Sequence, residues 1–383
     1  MRKRGVDARA IPPTCRETVA AGREATTGKE CYPAIITSGN MLRILRREDP
    51  EKTAFFMGTA SGPCRFGQYC SFHRQLLRRK GYRGVPVLTS SSSSSYGSVP
   101  GLSGPGFQLD LLRGIVAADV LHRGLLRVRP YEREPGEADA VYGRALQSLT
   151  KAMESGGGLR KVLARAAEEL SALVVSDPRP LVYVFGEIYV RNDPYANGYT
   201  VDHIERLGGE VLPTPLVEWF EYVNHSYLRR KLGRGRLLAA LRGKLKGLAM
   251  EWIRSSTESP FGDLLEDRPS LSAQEILQAE TVLCIGAPLA YLRKGAIGGA
   301  VNIFPFTCLP GTIVTAVSKR IRREHPGLPW INLAFDGQED TDNLARLEAF
   351  MHQVRGSEAA DFSRGGSRRP AIEPGTVRAR ERS

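Results

Sequence analysis

Three cysteines in this sequence stand where a thiolate could do chemistry. Cys31 lies in GKECYPAII, Cys64 in SGPCRFGQY and Cys308 in FPFTCLPGT, so each follows a strand or loop, stands near a proline and precedes a helical pattern. At a helix N-terminus, free backbone N–H groups and the helix dipole stabilise an anionic sulfur and lower the pKa of a thiol. The local pattern alone also allows a buried core thiol or a reactive nucleophile.

Three such thiolates, brought together from separate segments, could hold three irons of a cubane cluster and leave the fourth iron open. A cluster bound by four cysteines suits electron transfer, whereas an open iron can bind a substrate oxygen or a small ligand. Cys64 and Cys70 stand six residues apart, a spacing that matches neither ferredoxin C-x-x-C runs nor zinc knuckles. Spacing within one segment therefore does not identify a metal.

The sequence lacks several other catalytic motifs. The segment GREATTGKE, residues 22–30, differs from a phosphate loop in two ways. Five residues separate its two glycines where the phosphate loop has four, and a glutamate stands where the loop needs Ser or Thr to bind magnesium. No G-x-G-x-x-G motif follows a predicted strand, no G-x-S-x-G elbow occurs, and the six histidines are scattered. The sequence therefore offers no ATP-hydrolysing site and no hydrolytic triad.

The elements that must position the cysteines alternate between β-rich runs and helical patterns, which is typical of parallel α/β sheets. In the first third we predict strands in VDARAIPP, TAFFMGTAS and VPVLTSS, and helices in AIITSGNMLRILRRE and SFHRQLLRRKGY. A second unit begins with the strand LVYVFG and continues through EVLPTP and LPWINLAF. We expect two Rossmann-like (flavodoxin-like) parallel-sheet domains with a helical segment between them.

Composition shifts divide the chain into four predicted regions. They are a first α/β domain (1–106), a helical segment (107–178), a second α/β domain that includes a basic helix (179–355) and a disordered tail (356–383). The serine run at residues 90–95 follows a strand and is predicted to be a mobile loop. In open α/β sheets ligands bind past the carboxyl ends of strands, so this loop is expected to border a site.

The chain has 383 residues and a net charge of +13, and residues 229–246 carry many basic side chains and no acid. Leucines recur there near helical spacing, so we interpret the stretch as a core-packed helix with a solvated basic face. Docking of an acidic partner is the second interpretation, and nucleic-acid binding is disfavoured because no recognisable module is present. Without a signal peptide or a membrane-length apolar run, we expect a cytoplasmic protein that does not enter a membrane.

Five blocks carry a resemblance to a known family: GKECYPAIITSGNML, FFMGTASGPCRFGQY, RPLVYVFGEIYVRNDPYANGYTVDHIERLGGEV, GAVNIFPFTCLPGTIV and FDGQEDTDNLARLEAFMHQV. In this order they resemble the 2-hydroxyacyl-CoA dehydratase-related proteins, also called CoA-substrate-specific enzyme activases. The resemblance covers most of residues 10–355 and concerns the dehydratase-like portion, without the ATPase domain. The GPCRFGQY and PF-x-C-LPG blocks are its most specific parts.

The resemblance implies an iron–sulfur protein with a 4Fe-4S cluster in a cleft between Rossmann-like domains. Matched position by position, the ligands would be Cys31, Cys64 and Cys308. With such a cluster in place, Arg65 and Gln68, one and four residues past Cys64, would point near the cluster or its bound ligand. Arg65 would balance cluster charge or cap the domain surface. A separate actin-like ATPase activator would supply electrons, an acyl-CoA is a candidate substrate, and the chain would be a lyase or reductase component in a homo- or heterodimer.

The chain departs from the family's pattern in two ways: it lacks the ATPase motifs, so energy input is expected from a separate subunit, and it begins almost on the second strand. Relatives carry a β-α unit before the segment equivalent to VDARAIPP, so the first sheet is expected to lack an N-terminal strand. Cys15, Cys70 and Cys284 match no family ligand, and Cys284 is predicted to lie in a core strand, TVLCIG. A double-cubane reductase of small molecules would need such extra ligands. The rival function from another class is a non-catalytic accessory protein that docks through its basic helix.

Further polar residues follow the predicted strands of the second unit. Glu187 ends the strand LVYVFG, and Asn192 and Asn197 lie in the loop after it, where α/β proteins place ligand-binding groups. Asp336 and Glu339 follow the last strand in the same way. For Glu187 we favour a structural salt bridge over a role in ligand binding.

Overall fold

The computed structural model contains helices and parallel strands in alternation, which confirms the mixed α/β prediction. The structure describes residues 1–2, 5–60, 62–94, 96, 105–175, 179–232, 280–293, 296–338 and 341–361. Over these ranges, no helix has both the length and the apolar character needed to cross a membrane.

The first sheet pairs β1 (Phe55–Thr59) in parallel with β2 (Val87–Ser91). Three helices belong to this unit: α1 (Arg16–Ala25), α2 (Tyr32–Leu45) and α3 (Tyr69–Arg79). The predicted strands TAFFMGTAS and VPVLTSS and both predicted helices are confirmed. The strand prediction for VDARAIPP is wrong, since residues 6–13 form neither helix nor strand. Two consecutive prolines, Pro12 and Pro13, lack the N–H groups that a sheet ladder requires.

Three helices follow the first sheet, as the helical pattern predicts. They are α4 (Pro105–Val128), α5 (Glu137–Ser155) and α6 (Leu159–Ser171). The Gly-rich break between α5 and α6 is confirmed, because Gly156 and Gly158 adopt left-handed backbone angles, with φ of 84° and 88°. Glycine adopts left-handed angles without steric cost, so Gly156 can end α5 and Gly158 can precede α6.

An ion-pair cluster joins this helical segment to the second sheet unit. Arg129, just after α4, bonds to Glu205 at 2.8 Å, to Asp202 at 3.1 Å and to Asp139 at 3.2 Å. The Arg129 and Glu205 side chains are only 19% and 10% exposed, whereas Asp202 and Asp139 are 41% and 51% exposed. Because charge pairs strengthen as water is excluded, the Arg129–Glu205 pair is the strongest link of the cluster.

The second sheet has four parallel strands in the order β4-β3-β5-β6. The strands are β3 (Leu181–Gly186), β4 (Glu210–Pro213), β5 (Gly299–Pro305) and β6 (Trp330–Phe335). In the described part of this unit the helices are α7 (Ile188–Asn192), α8 (Thr200–Arg206), α9 (Val217–Leu232), α10 (Glu280–Arg293), α11 (Leu309–Glu324) and α12 (Thr341–Asp361). β5 is buried along its whole length, as expected for a central strand covered by helices on both faces.

Two expectations for this unit are corrected. TVLCIG is part of helix α10, since its apolar run continues through APLAYLR and becomes too long for a strand. Helix α12 passes Gly356 and ends at Asp361, so it enters the segment predicted to be a disordered tail. Residues 229–232 form the end of α9. The rest of the basic stretch, and residues 362–383, lie outside the described residues.

Candidate functional site

All three predicted cysteines immediately precede a helix. Cys31 is the N-cap of α2, Cys308 is the N-cap of α11, and Cys64 is the N-cap of a 3-10 helix over Arg65–Gln68. Each has an extended backbone, and none of the three side chains makes a capping hydrogen bond. Proline lies in the first turn of both α2 and α11, where its missing N–H costs nothing. The predicted helix-start geometry is therefore confirmed.

Cys308 lies at the carboxyl edge of the second sheet, three residues after the end of β5. Its backbone N–H donates to the carbonyl of Pro305, the last residue of β5, at 3.0 Å. The N–H of Glu187, directly after β3, donates to the Ile303 carbonyl of β5 at 2.8 Å. β4 and β5 lie on opposite sides of β3, so the chain reverses direction across the sheet at this point. Such a reversal opens the crevice where α/β proteins bind ligands.

The backbone at this edge is strained beside Cys308. Thr307 has φ of 67°, a left-handed conformation that is costly for a β-branched residue. The flanking apolar side chains Phe306 and Leu309 are 64% and 46% exposed. The turn that leads into α11 is therefore both strained and open to solvent.

Helix α2 carries Cys31 to the same edge. Tyr32 and Ile36, in the first half of α2, are buried in the core of the second sheet, in one cluster with Val184 and Ile303. The second half of α2 belongs to the core of the first sheet, in a cluster that contains Met41, Leu42, Phe55 and Val87. Two polar contacts add to this packing: the Thr14 hydroxyl donates to the Asp193 carboxylate, and Arg23 donates to the Asp336 carbonyl at 3.0 Å. Helix α2 thus contacts both units.

The thiol of Cys31 has four identifiable neighbours. Burial raises the pKa of this thiol to about 12. A hydrogen bond with the Tyr69 side chain lowers the pKa, whereas the negative charges of Glu187 and Cys64 raise it. Arg65 lowers it, and the Arg65 guanidinium donates to the Lys29 carbonyl at 3.0 Å, which ties the Cys64 loop to the loop before Cys31. The expectation that a helix start lowers the thiol pKa is therefore wrong for Cys31, because burial dominates.

Glu187 caps a helix and is not a salt-bridge partner within the described residues. Its carboxylate accepts hydrogen bonds from the backbone N–H of Tyr189 at 3.0 Å and of Val190 at 2.9 Å, at the start of α7. Burial raises the pKa of Glu187, while these two bonds and the charge of Arg191 oppose the rise. The salt-bridge expectation missed this role because a cap is satisfied by the residues that follow it in sequence.

Arg191 and Tyr69 belong to this site but escape detection from the sequence pattern. Arg191 is buried and donates to the Gly186 carbonyl at 2.8 Å, while its Nε atom has no hydrogen-bond partner among the described residues. A cavity of about 10 Å³ lies beside Arg191, Thr214 and Cys284, with room for about one water molecule. Tyr69 is the last residue of the GPCRFGQY block that contains Cys64, and this shared block is the one sequence feature that links Tyr69 to the site.

Other predicted residues have structural roles or lie at the surface. Gln68 is exposed at the start of α3, and its side chain makes no capping bond. The Asn197 amide holds the chain after α7 by donating to the Val190 and Arg191 carbonyls, and Asn192 donates to Ile188 within its helix. Asp336 accepts from the Gln338 N–H in a turn. Glu339 lies outside the described residues.

The three remaining cysteines differ in position. Cys70 is buried in the core of the first sheet, where its thiol donates to the Met57 carbonyl at 3.6 Å. Cys284 is buried on α10 in the core of the second sheet. The prediction that Cys284 is a core residue is thus confirmed, although its segment is helical. Cys15 is the N-cap of α1, and Arg43 donates to its sulfur at 3.0 Å. The N-cap layout therefore occurs at a fourth cysteine, so layout alone does not distinguish a ligand.

The candidate donor set of this site is three free cysteine thiols. No group of three or more Cys, His, Asp or Glu side chains could hold a single metal ion within the described residues. A cubane offers a separate iron to each cysteine, so its ligands need not meet at one point. The three thiols at helix starts fit a cluster in donor type, and two of them, Cys31 and Cys64, are electrostatically coupled beside Glu187. No protein-family model matches this chain, and no curated protein matches it significantly.

Proposed function

We propose that this chain is an iron–sulfur protein that binds a 4Fe-4S cluster through Cys31, Cys64 and Cys308. It acts as a component similar to those of 2-hydroxyacyl-CoA dehydratases and accepts electrons from a separate ATP-dependent activator protein. The observation that carries this proposal is the placement of Cys31, coupled to Cys64, next to Glu187 at the β3–β5 edge where Cys308 begins α11.

The strand order of the second sheet supports the finer fold proposal. We propose that both units are Rossmann-like, and the order β4-β3-β5-β6 corresponds to the first four strands of the flavodoxin-like pattern. In that pattern the ligand crevice lies between the first and third strands, which are β3 and β5 here. Glu187 directly follows β3 and Cys308 follows β5, which supports a ligand site at this point of the sheet.

The chain's own residues would bind and shield such a cluster. When bound, a cluster with one iron not held by cysteine supplies a Lewis-acidic position for a substrate oxygen. Arg65 follows Cys64 directly and places a positive charge beside the thiolates. Tyr69 can donate a hydrogen bond to the sulfur of Cys31, a contact that stabilises an anionic sulfur. Cys70 and Cys284 lie in separate apolar clusters, which favours a single cluster over a double cubane.

Anaerobic purification and reconstitution with iron and sulfide test the proposal. A brown protein with broad visible absorption and about four irons per chain is expected. Replacement of Cys31, Cys64 or Cys308 by serine should remove most of the iron or change the electron paramagnetic resonance spectrum of the reduced protein. Cys15→Ser is the matched control, because Cys15 also caps a helix, and it should bind iron like the wild type.

Two results would refute the proposal. The first is a colourless, iron-free wild-type protein after anaerobic reconstitution, which would instead fit the non-catalytic accessory role. The second is an iron content that falls equally in Cys15→Ser and in the three ligand variants. If iron binds as proposed, mixing the oxidised protein with an actin-like ATPase activator and ATP under anaerobic conditions tests the electron-transfer step.

A further inference from the structure

A basic groove lies at the end of the second sheet opposite the cysteines. The groove is lined by Lys319, Arg322 and Arg323 on the last turns of α11, by the loop that leads to Trp330, and by Gln353 and Ser357 on α12. Its volume is about 630 Å³. Trp330 is the first residue of β6, so the groove borders the amino end of that strand.

Among the described residues, no acid neutralises the three cations of the groove. Lys319, Arg322 and Arg323 are exposed, and none of them makes an ion pair or side-chain hydrogen bond with another described residue. The acid closest in sequence, Glu324, is bound to Arg320 at 2.6 Å and is therefore already paired. Lys319 stands three and four residues before the two arginines, so all three lie on one helix face. The groove therefore has a positively charged wall.

The geometry favours carboxylates spread along a polypeptide over a compact phosphate. Phosphate sites in α/β proteins use backbone N–H groups at a helix N-terminus, whereas this groove lies at the C-terminal end of α11. The negative end of the helix dipole disfavours a dense anionic charge there. Long exposed side chains, one helical turn apart, can each meet a separate carboxylate, and Gln353 and Ser357 provide a polar facing wall.

Helix-dipole stabilisation alone would also place cations at a helix C-terminus. That effect acts within the last turn and contributes about 0.3–1 kcal/mol for each charge. It does not account for Lys319, which lies more than a turn before the helix end at Glu324, or for a groove with an uncharged polar wall facing the cations.

We propose that this groove docks an acidic segment of a protein partner. Arg322 lies about 20 Å along α11 from Cys308, so an acidic segment bound in the groove does not itself contact the cysteine edge. The proposal is independent of iron binding.

Fluorescence anisotropy with a labelled decaglutamate peptide tests this proposal on the full-length protein. A glutamine peptide of equal length is the neutral probe, and pyrophosphate is the small-anion competitor. We expect the wild type to bind decaglutamate, with affinity that weakens as salt is added. Combined reversal by Lys319→Glu, Arg322→Glu and Arg323→Glu should weaken binding at least about tenfold.

The matched control reverses the exposed Arg78, Arg79 and Lys80, which likewise stand at the C-terminal end of a helix, α3. It should change the affinity by no more than about twofold. Equal losses in both variants, tighter binding of pyrophosphate than of decaglutamate, or no decaglutamate binding at low salt would overturn the proposal. If the reversal variant does not fold, the corresponding triple glutamine variant replaces it, with a glutamine version of the control.

Discussion

Replacement of Arg129 by leucine should destabilise the protein through one buried carboxylate. Removing one partner of a buried ion pair costs about 3–5 kcal/mol, whereas each exposed pair contributes about 0.2–1 kcal/mol. Arg129 and Glu205 are mostly buried, and the two aspartates are not. Because the pKa of Glu205 is already raised to about 7 with Arg129 present, the wild type carries part of this cost, and we expect Arg129→Leu to lower the free energy of unfolding by about 1–2 kcal/mol at pH 8, measured by urea denaturation.

The deficit of Arg129→Leu should depend on pH. Burial raises the pKa of Glu205 to about 7, and Arg129 opposes that rise. Without Arg129, the folded-state pKa of Glu205 rises further above its unfolded value. The cost of burying the ionised Glu205 is therefore full above the folded-state pKa, and it disappears as pH falls from there to the unfolded-state pKa. At pH 5 the variant should therefore lie closer to the wild type than at pH 8.

A double-mutant cycle separates this explanation from a packing defect. Arg129→Leu combined with Glu205→Gln should be more stable than Arg129→Leu alone, because the uncompensated carboxylate is gone. Arg144→Leu, which loses only an exposed contact with Glu169 at 3.1 Å, should cost less than about 0.5 kcal/mol. A pH-independent loss, or a double variant whose loss equals the sum of the single losses, would contradict the reasoning.

Three further predictions concern stability. Burial lowers the pKa of His73 and His122 to about 4. The free energy of unfolding should therefore be highest above pH 6.5 and fall as pH drops towards 4, by up to about 3 kcal/mol for each histidine. Urea denaturation across this range should show the loss, and His73→Gln should reduce it. Gly186→Ala should destabilise the protein by more than about 3 kcal/mol, because the new Cβ would lie 2.0 Å from the Ile303 carbonyl oxygen and φ is 119° there. Gly143→Ala, in open space on α5, should be neutral or stabilising, and thermal melting compares the two variants. Thr307→Gly should stabilise by about 0.5–1 kcal/mol by relieving the left-handed strain, and an unchanged melting temperature would contradict this.

The sequence predicts those features of the fold and site that depend on neighbouring residues. The helix starts at Cys31, Cys64 and Cys308 follow from local proline and turn signals, and β3 follows from its apolar run. The approach of Tyr69 to Cys31 depends on how α2 and α3 pack, which no local pattern encodes. TVLCIG forms a helix where a strand is predicted, because a short apolar run fits a strand and a buried helix equally well. VDARAIPP has the apolar pattern of a strand, but its two prolines lack the N–H groups that a sheet ladder requires.

Helix α2 constrains the motion of the protein as well as its shape. Its first half belongs to one hydrophobic core and its second half to the other, so a hinge between the two sheets would have to break one of these packed surfaces. We therefore expect the two cores to unfold in one cooperative transition, with amide hydrogens on both sheets exchanging at a common rate. The crevice beside Cys31 would then have a fixed width, and molecules would reach it by movement of surface turns and not by separation of the two sheets.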